Sequence, residues 1–321
     1  FLLWAPGKRS MKVLVVRHYR VGELAQETPS GDDLKSRDEI LERILSASKM
    51  VTEAELDRAA DVLDTEPAVI KLPFSPGESM NPDLTNALMS RYSISHVRDR
   101  AVVPLDIVGF SLLTPLEQVT QLNSLSYSVN AAHSKLMSKN IDINFARTTT
   151  GDGFYIWNRA SNIQANVDLY NFMHLTLADN AIGLQKSTGH TTPMLRACFH
   201  VGDLYEYYQA ESLSPSTFSY LVGNVTIELA RMIEHAMPQQ ILVGEFDVPM
   251  LNEAKGGVER IDSIEFTRRP RGHLSQLHGL ILSGDATESI KCYLPRSSPD
   301  DGSFKVRRHN TFDHDGTTPD V

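Results

Sequence analysis

Two aspartates stand in settings that could do chemistry together. Asp106 is the one acid in an apolar run, Ala101–Val108, and Asp152 lies between glycines in Gly151-Asp152-Gly153, forty-six positions later. The flanking runs, 141–150 and 154–157, are β-rich, and an aspartate with glycines between two such runs signals a hairpin. If the first strand neighbours that hairpin, the two acids converge. Carboxylates a few ångströms apart repel unless cations lie between them. Hard oxygen ligands with open positions suit Mg²⁺ or Mn²⁺ together with substrate phosphates. Two such ions can activate a ribose hydroxyl and neutralise a leaving pyrophosphate. A plainer alternative stays open at this point: Asp106 closes a strand end and Asp152 makes a turn, as acids in turns commonly do.

The surrounding elements follow in an informative order. Pro104 inside the first strand is a warning, because a central strand loses a backbone donor there. Thr114-Pro115-Leu116-Glu117 then reads as a helix start, with a capping threonine, proline at the first helical position and glutamate three residues after the cap. That helix runs to about Met137 on the apolar positions Val119, Leu122, Val129, Ala132 and Leu136. After the hairpin, a second helix spans roughly 161–181, a strand 195–202 and a third helix 225–236, with a last clear strand at Ile241-Leu242-Val243. This β-α-β-β-α-β run describes an α+β fold, a ferredoxin-like antiparallel sheet with helices on one face.

Upstream, residues 11–17 suggest a short strand, and Ile40, Leu41, Ile44 and Leu45 share a helical face. Thr52 and Glu55 form a capping-box pair opening a second helix to Leu63. From Asp64 to Pro82, the prolines Pro67, Pro73, Pro76 and Pro82 suggest a linker. The expected organisation is a mostly helical N-terminal extension over 1–90, a main domain over 91–295 and a polar C-terminal tail over 296–321. Met11, followed by Lys12-Val13-Leu14-Val15-Val16, reads as a more natural beginning than Phe1, which would make residues 1–10 an artefact of gene calling.

Composition narrows the class. A net charge of −9 argues against a nucleic-acid surface, which needs clustered Lys and Arg. No apolar run approaches the about 18 residues of a membrane span. The two cysteines, Cys198 and Cys292, lie in apolar strand-like contexts and read as buried thiols, so a cytoplasmic protein is expected. His174, His190 and His200 show no ligand spacing. Trp157-Asn158-Arg159 could reach a triphosphate, but packing is the stronger expectation for the tryptophan.

Several of these segments together resemble the catalytic domain of class III adenylate and guanylate cyclases. Leu105-Asp106-Ile107-Val108-Gly109-Phe110-Ser111 is similar to that family's opening motif, and Thr150-Gly151-Asp152-Gly153 to its second metal motif. The run from Leu195 to Gly202 resembles its middle strand. Gly223-Asn224, Leu229-Ala230-Arg231-Met232 and Pro238-Gln239-Gln240-Ile241-Leu242-Val243 resemble its last helix and strand. The resemblance implies that Asp106, Asp152 and the carbonyl of Ile107 hold two Mg²⁺ or Mn²⁺ ions. It implies a head-to-tail homodimer in which Arg231 of the partner copy stabilises charge at the α-phosphate of a nucleoside triphosphate. The implied product is a 3′,5′-cyclic nucleotide for second-messenger signalling.

Departures from the family accompany the likeness. Its purine-reading residues fall here on Thr148 and Tyr220, and its ribose-orienting asparagine falls on Ile227. No phosphate-binding lysine is evident in the late hairpin, although Arg268, Arg269 and Arg271 lie nearby. Arg147 is no simple stand-in at 148, because adjacent strand residues point to opposite faces. The base is therefore unassigned, and a pyrimidine would suit a tyrosine-lined pocket by volume. The alternative function is a catalytically inactive cyclase-homology module acting as a nucleotide-binding or regulatory dimer. A cyclic-dinucleotide synthase fits less well, since the Gly151-Asp152-Gly153 loop lacks a following acid.

Overall fold

The computed structural model describes residues 1–26, 33–46, 48–76, 80–90, 92–210 and 217–269, with short strands at 281–282, 285–286, 292–293 and 306–311. The chain forms two units: residues 1–97 with 204–222, and residues 98–203 with 223–321.

In the first unit, β1 (Leu2–Pro6), β2 (Ser10–Val15) and β3 (Ala68–Lys71) make an antiparallel sheet in that order. Residues 2–5 are buried in this unit, Trp4 at 2% exposure. Alternation explains how. Leu3, Ala5 and Leu14 face α1 (His18–Gln26), α2 (Asp33–Leu45) and α3 (Glu53–Val62), while Leu2, Trp4, Met11 and Val13 form a second cluster. The Thr52–Glu55 capping box is formed. Within the expected linker, β3 forms, and α4 (Pro82–Ser90) begins at its last proline. Lys49 is fully enclosed, its ammonium donating to the carbonyls of Ile44 and Ile94 at 2.9 Å each.

In the second unit, β4 (Ile94–Ile107) feeds α5 (Pro115–Ser138), the hairpin β5 (Phe145–Thr149) and β6 (Gly153–Asn158), α6 (Ile163–Lys186) and β7 (Leu195–Ala210). The strand order β7-β4-β6-β5 is the ferredoxin-like arrangement that the sequence order predicts. Beyond β7, β9 (Gln240–Gly244) adds in parallel, and the strand Val306–Thr311, from the expected tail, pairs antiparallel with β9. The outer half of β7 pairs with β8 (Thr217–Val222) inside the first unit. Pro104 stands within the central strand opposite Tyr155, and pairing continues through it to Asp106.

Side-chain alternation divides this sheet into two chemically distinct faces. Ala101, Val103, Leu105 and Ile107 of β4 and Leu195, Ala197, Phe199 and Val201 of β7 join α5 and α6 in one core. The Thr114–Glu117 capping box opens α5, with Pro115 in its first turn. Asp106, Cys198 and His200 occupy the intervening positions and point the other way. That second face is also covered, which corrects the expectation of helices on one face. Helix α7 (Asn224–His235) packs there: Val225 sits against Gly202, and Tyr155 Oη donates to the carbonyl of Thr226 at 3.4 Å. An amphipathic period identifies the apolar stripe of a helix but not the side of the sheet it will cover.

Candidate active site

The hairpin β5–β6 brings Asp152 to the end of β4 through a close backbone approach. Asp106 pairs directly with Gly153, and the Ile107 N–H donates to the Asp152 carbonyl at 3.1 Å. Glycine is required at 153, because a Cβ there would come within 1.9 Å of the Leu105 carbonyl oxygen. Gly151 takes φ +101°, a left-handed conformation that glycine alone adopts readily. The turn is braced by Gly151 N–H donating to Thr149 Oγ1 and by Thr150 Oγ1 donating to Asp152 Oδ1, each at 3.0 Å.

The Asp106 and Asp152 side chains meet. Burial pushes the Asp106 carboxyl above its ordinary range; Arg196 opposes that rise, and the adjoining Asp152 carboxyl adds to it. Arg196 lies two strand positions from Cys198 on the same face, and its Nε donates to Asp106 Oδ2 at 2.6 Å. The arginine stands inside the quoted middle-strand segment but its partner is ninety residues away, so no local signal marks the contact. Burial likewise raises Tyr155 and the Cys198 thiol.

The side-chain oxygen donors that adjoin here are the carboxylates of Asp106 and Asp152, and Ile107 follows Asp106 at the end of β4. Among the described residues no cluster of three or more His, Cys, Asp or Glu side chains forms. Paired oxygen donors of this kind suit hard divalent cations that keep open positions for phosphate or water, although here the Arg196 guanidinium already offsets part of the charge on Asp106.

The remaining expected site residues fall into separate groups. Thr148 pairs with Tyr155, which pairs with Pro104, so Thr148 lies on the Asp106 face of the sheet. Arg147 points to the other face, its guanidinium 5.0 Å from the Phe154 ring centre. Ile227 and Arg231 are exposed and one helical turn apart on α7, opposite its buried stripe of Val225, Leu229 and Met232. Tyr220 belongs to the first unit, where it stacks on Tyr207 at 4.9 Å.

Other candidate residues have structural partners. Trp157 is fully buried, and Arg159 donates to Asn144 and to the Phe145 carbonyl. Arg269 pairs with Glu259 and Glu265, Arg268 is exposed, and Arg271 lies outside the described residues. His174 is buried against the Tyr170 ring, His190 is exposed, and His200 meets Glu228. Among the described residues no helix is long and apolar enough to cross a membrane.

No protein-family model matches the chain, and no curated protein matches it. Solved structures similar to it include the catalytic core of a rhodopsin-guanylyl cyclase with converted specificity, in complex with ATPalphaS. The identity is 10%, over 68% of this chain and 98% of that one, with a TM-score of 0.43. The guanylate cyclase domain of RhGC from Catenaria anguillulae, in complex with GTP, is 11% identical over 67% of this chain and 96% of its own, with a TM-score of 0.42. The adenylyl cyclase CyaB from P. aeruginosa is 11% identical over 71% of this chain and 99% of its own, with a TM-score of 0.39. The chain is thus similar in structure to adenylyl and guanylyl cyclase catalytic domains.

Proposed function

We propose that this protein is a nucleotide cyclase, converting a nucleoside triphosphate to a 3′,5′-cyclic nucleotide and pyrophosphate as a homodimer. The observation that supports the reading is the approach of Asp106 to Asp152 at the end of β4, where Asp106 pairs with Gly153. Asp106, Asp152 and the Ile107 carbonyl would hold two Mg²⁺ or Mn²⁺ ions, which supply charge neutralisation and activation of the 3′-hydroxyl. In the reaction the 3′-oxygen bonds to the α-phosphorus, the bond from that phosphorus to the bridging oxygen breaks, and pyrophosphate leaves. The hydroxyl proton passes to solvent.

Arg231 contributes a fixed cation from the exposed face of α7, and in a head-to-tail dimer it would serve the partner copy's substrate. Arg196 is already drawn to Asp106 and would stand beside the phosphates once the carboxylates are engaged by cations. Thr148 lies on the same face as a small polar contact for a base. Tyr220 is a ring that can stack on one, and Ile227 offers no polar contact to a ribose. The base is left open by these residues.

A second reading, a silent module that binds nucleotide or a partner, is favoured by the Arg196 contact. The guanidinium gives Asp106 an internal counter-ion where a metal would otherwise be needed. One assay separates the two. Purified protein is incubated with Mn²⁺ and each of ATP, GTP, CTP and UTP, and products are identified by mass spectrometry. A cyclic product from at least one nucleotide, abolished by Asp152→Ala, is expected. No cyclic product from any of the four overturns the proposal.

A further inference from the structure

A second polar contact lies on the Asp106 face, between β7 and α7. His200 of β7 is 8% exposed in its side chain, and its Nε2 meets the Oε2 of Glu228 on α7. Its Nδ1 is buried without a hydrogen-bond partner. The ring lies over Gly244 of β9, where a Cβ would come within 2.3 Å of Nδ1. Glycine at 244 therefore makes room for the imidazole.

The unpartnered Nδ1 assigns the tautomer. A proton on Nδ1 would be a buried donor without an acceptor, so Nε2 carries the hydrogen and donates to the Glu228 carboxylate. Burial pushes His200 toward the neutral form, against the pull of Glu228. The contact is thus a hydrogen bond from a neutral ring to a carboxylate that is itself half exposed.

Three attachments fall within one turn of α7: Val225 against Gly202, the Thr226 carbonyl receiving Tyr155 Oη, and Glu228 receiving His200. The first two lie at the start of the helix. Glu228 is the polar attachment nearest Arg231, three residues before it. Loss of this contact leaves the apolar stripe in place but frees the helix to roll. A helix with side chains has a radius of about 5–6 Å, so a roll of about 10° moves an outer group by about 1 Å. A displacement of that size can cost about 10²-fold in rate.

Resting on the cyclase reading, we infer that Glu228 and His200 are positioning residues: a latch that fixes the rotational setting of α7 and so aims Arg231. The test uses Glu228→Ala, which removes the acceptor, and Glu228→Gln, which keeps an amide oxygen for the Nε2 hydrogen while removing the charge. The full-length chain is assayed for kcat and KM, and amide hydrogen exchange is measured over 225–232, with α5 as the internal control. Glu228→Ala is expected to lower kcat by about 10- to 100-fold, to leave KM within about threefold, and to speed exchange in α7 but not α5. Glu228→Gln is expected to restore both readouts. A Glu228→Ala variant with unaltered kcat or unaltered α7 exchange overturns the latch, and so does a glutamine variant as impaired as the alanine one. If the unmodified protein forms no cyclic product, the cyclase reading fails separately. The exchange comparison then decides the latch alone: faster exchange in the alanine variant only supports it, and equal exchange overturns it.

Discussion

Replacing Gly153 by alanine perturbs the site without touching a charged group. The added Cβ would lie 1.9 Å from the Leu105 carbonyl oxygen, 3.0 Å from its carbon and 3.1 Å from the Asp106 Cα. Close carbon–oxygen contacts between strands settle near 3.3 Å, so β4 and β6 must part by about 1.4 Å at this pair. All three near atoms are backbone, so no side chain can swing aside. The displaced pair is the one joining Asp106 to the residue after Asp152, and the parting enters the carboxylate separation directly. Overpacking of this kind costs about 1–3 kcal/mol of stability. A displacement of about 1 Å at reacting groups costs about 10²-fold in rate. Thermal unfolding followed by circular dichroism, with cyclic nucleotide formation measured in parallel, reads both effects. A Gly153→Ala protein with unaltered melting temperature and unaltered rate would refute the claim that this close approach sets the site.

Two further predictions concern buried bases. Burial lowers the Lys49 ammonium from 10.5 to about 7, with Arg43 adding repulsion, so the folded protein releases a proton that the unfolded chain retains. Stability should therefore rise with pH from about 7 toward 8.5, by up to about 1.4 kcal/mol per pH unit; denaturant titrations should show this slope, and Lys49→Met should lack it. His200 is lowered from 6.5, chiefly by burial, so the unfolded chain takes up a proton that the folded one refuses. Stability should fall as pH drops through 6.5, and His200→Gln should flatten that fall; a variant as acid-sensitive as the unmodified protein would contradict the assignment.

What could be read from the sequence was mostly local. Both capping boxes use residues three apart, the Gly151-Asp152-Gly153 turn is contiguous, and the strand and helix runs that order the sheet are each continuous in the chain. Segments with mixed signals were missed. β1 is a short apolar run ending at Pro6, and β3 is an exposed four-residue strand among prolines. The extension of β7 past Gly202 and its pairing with β8 depend on long-range partners. The site divides in the same way. Asp106 and Asp152 are legible as acids at strand ends. The Arg196–Asp106 and His200–Glu228 contacts join residues ninety and twenty-eight positions apart, across faces that only the folded sheet creates.

Binding of Mn²⁺, followed by electron paramagnetic resonance with and without a non-cyclisable nucleoside triphosphate analogue, tests the paired carboxylates most directly. The protein is predicted to bind the ion and to bind it more tightly with nucleotide, and Asp106→Asn and Asp152→Asn are each predicted to weaken binding at least about tenfold, the loss of one charged ligand. Spectra and affinities for both variants that match the unmodified protein would contradict it.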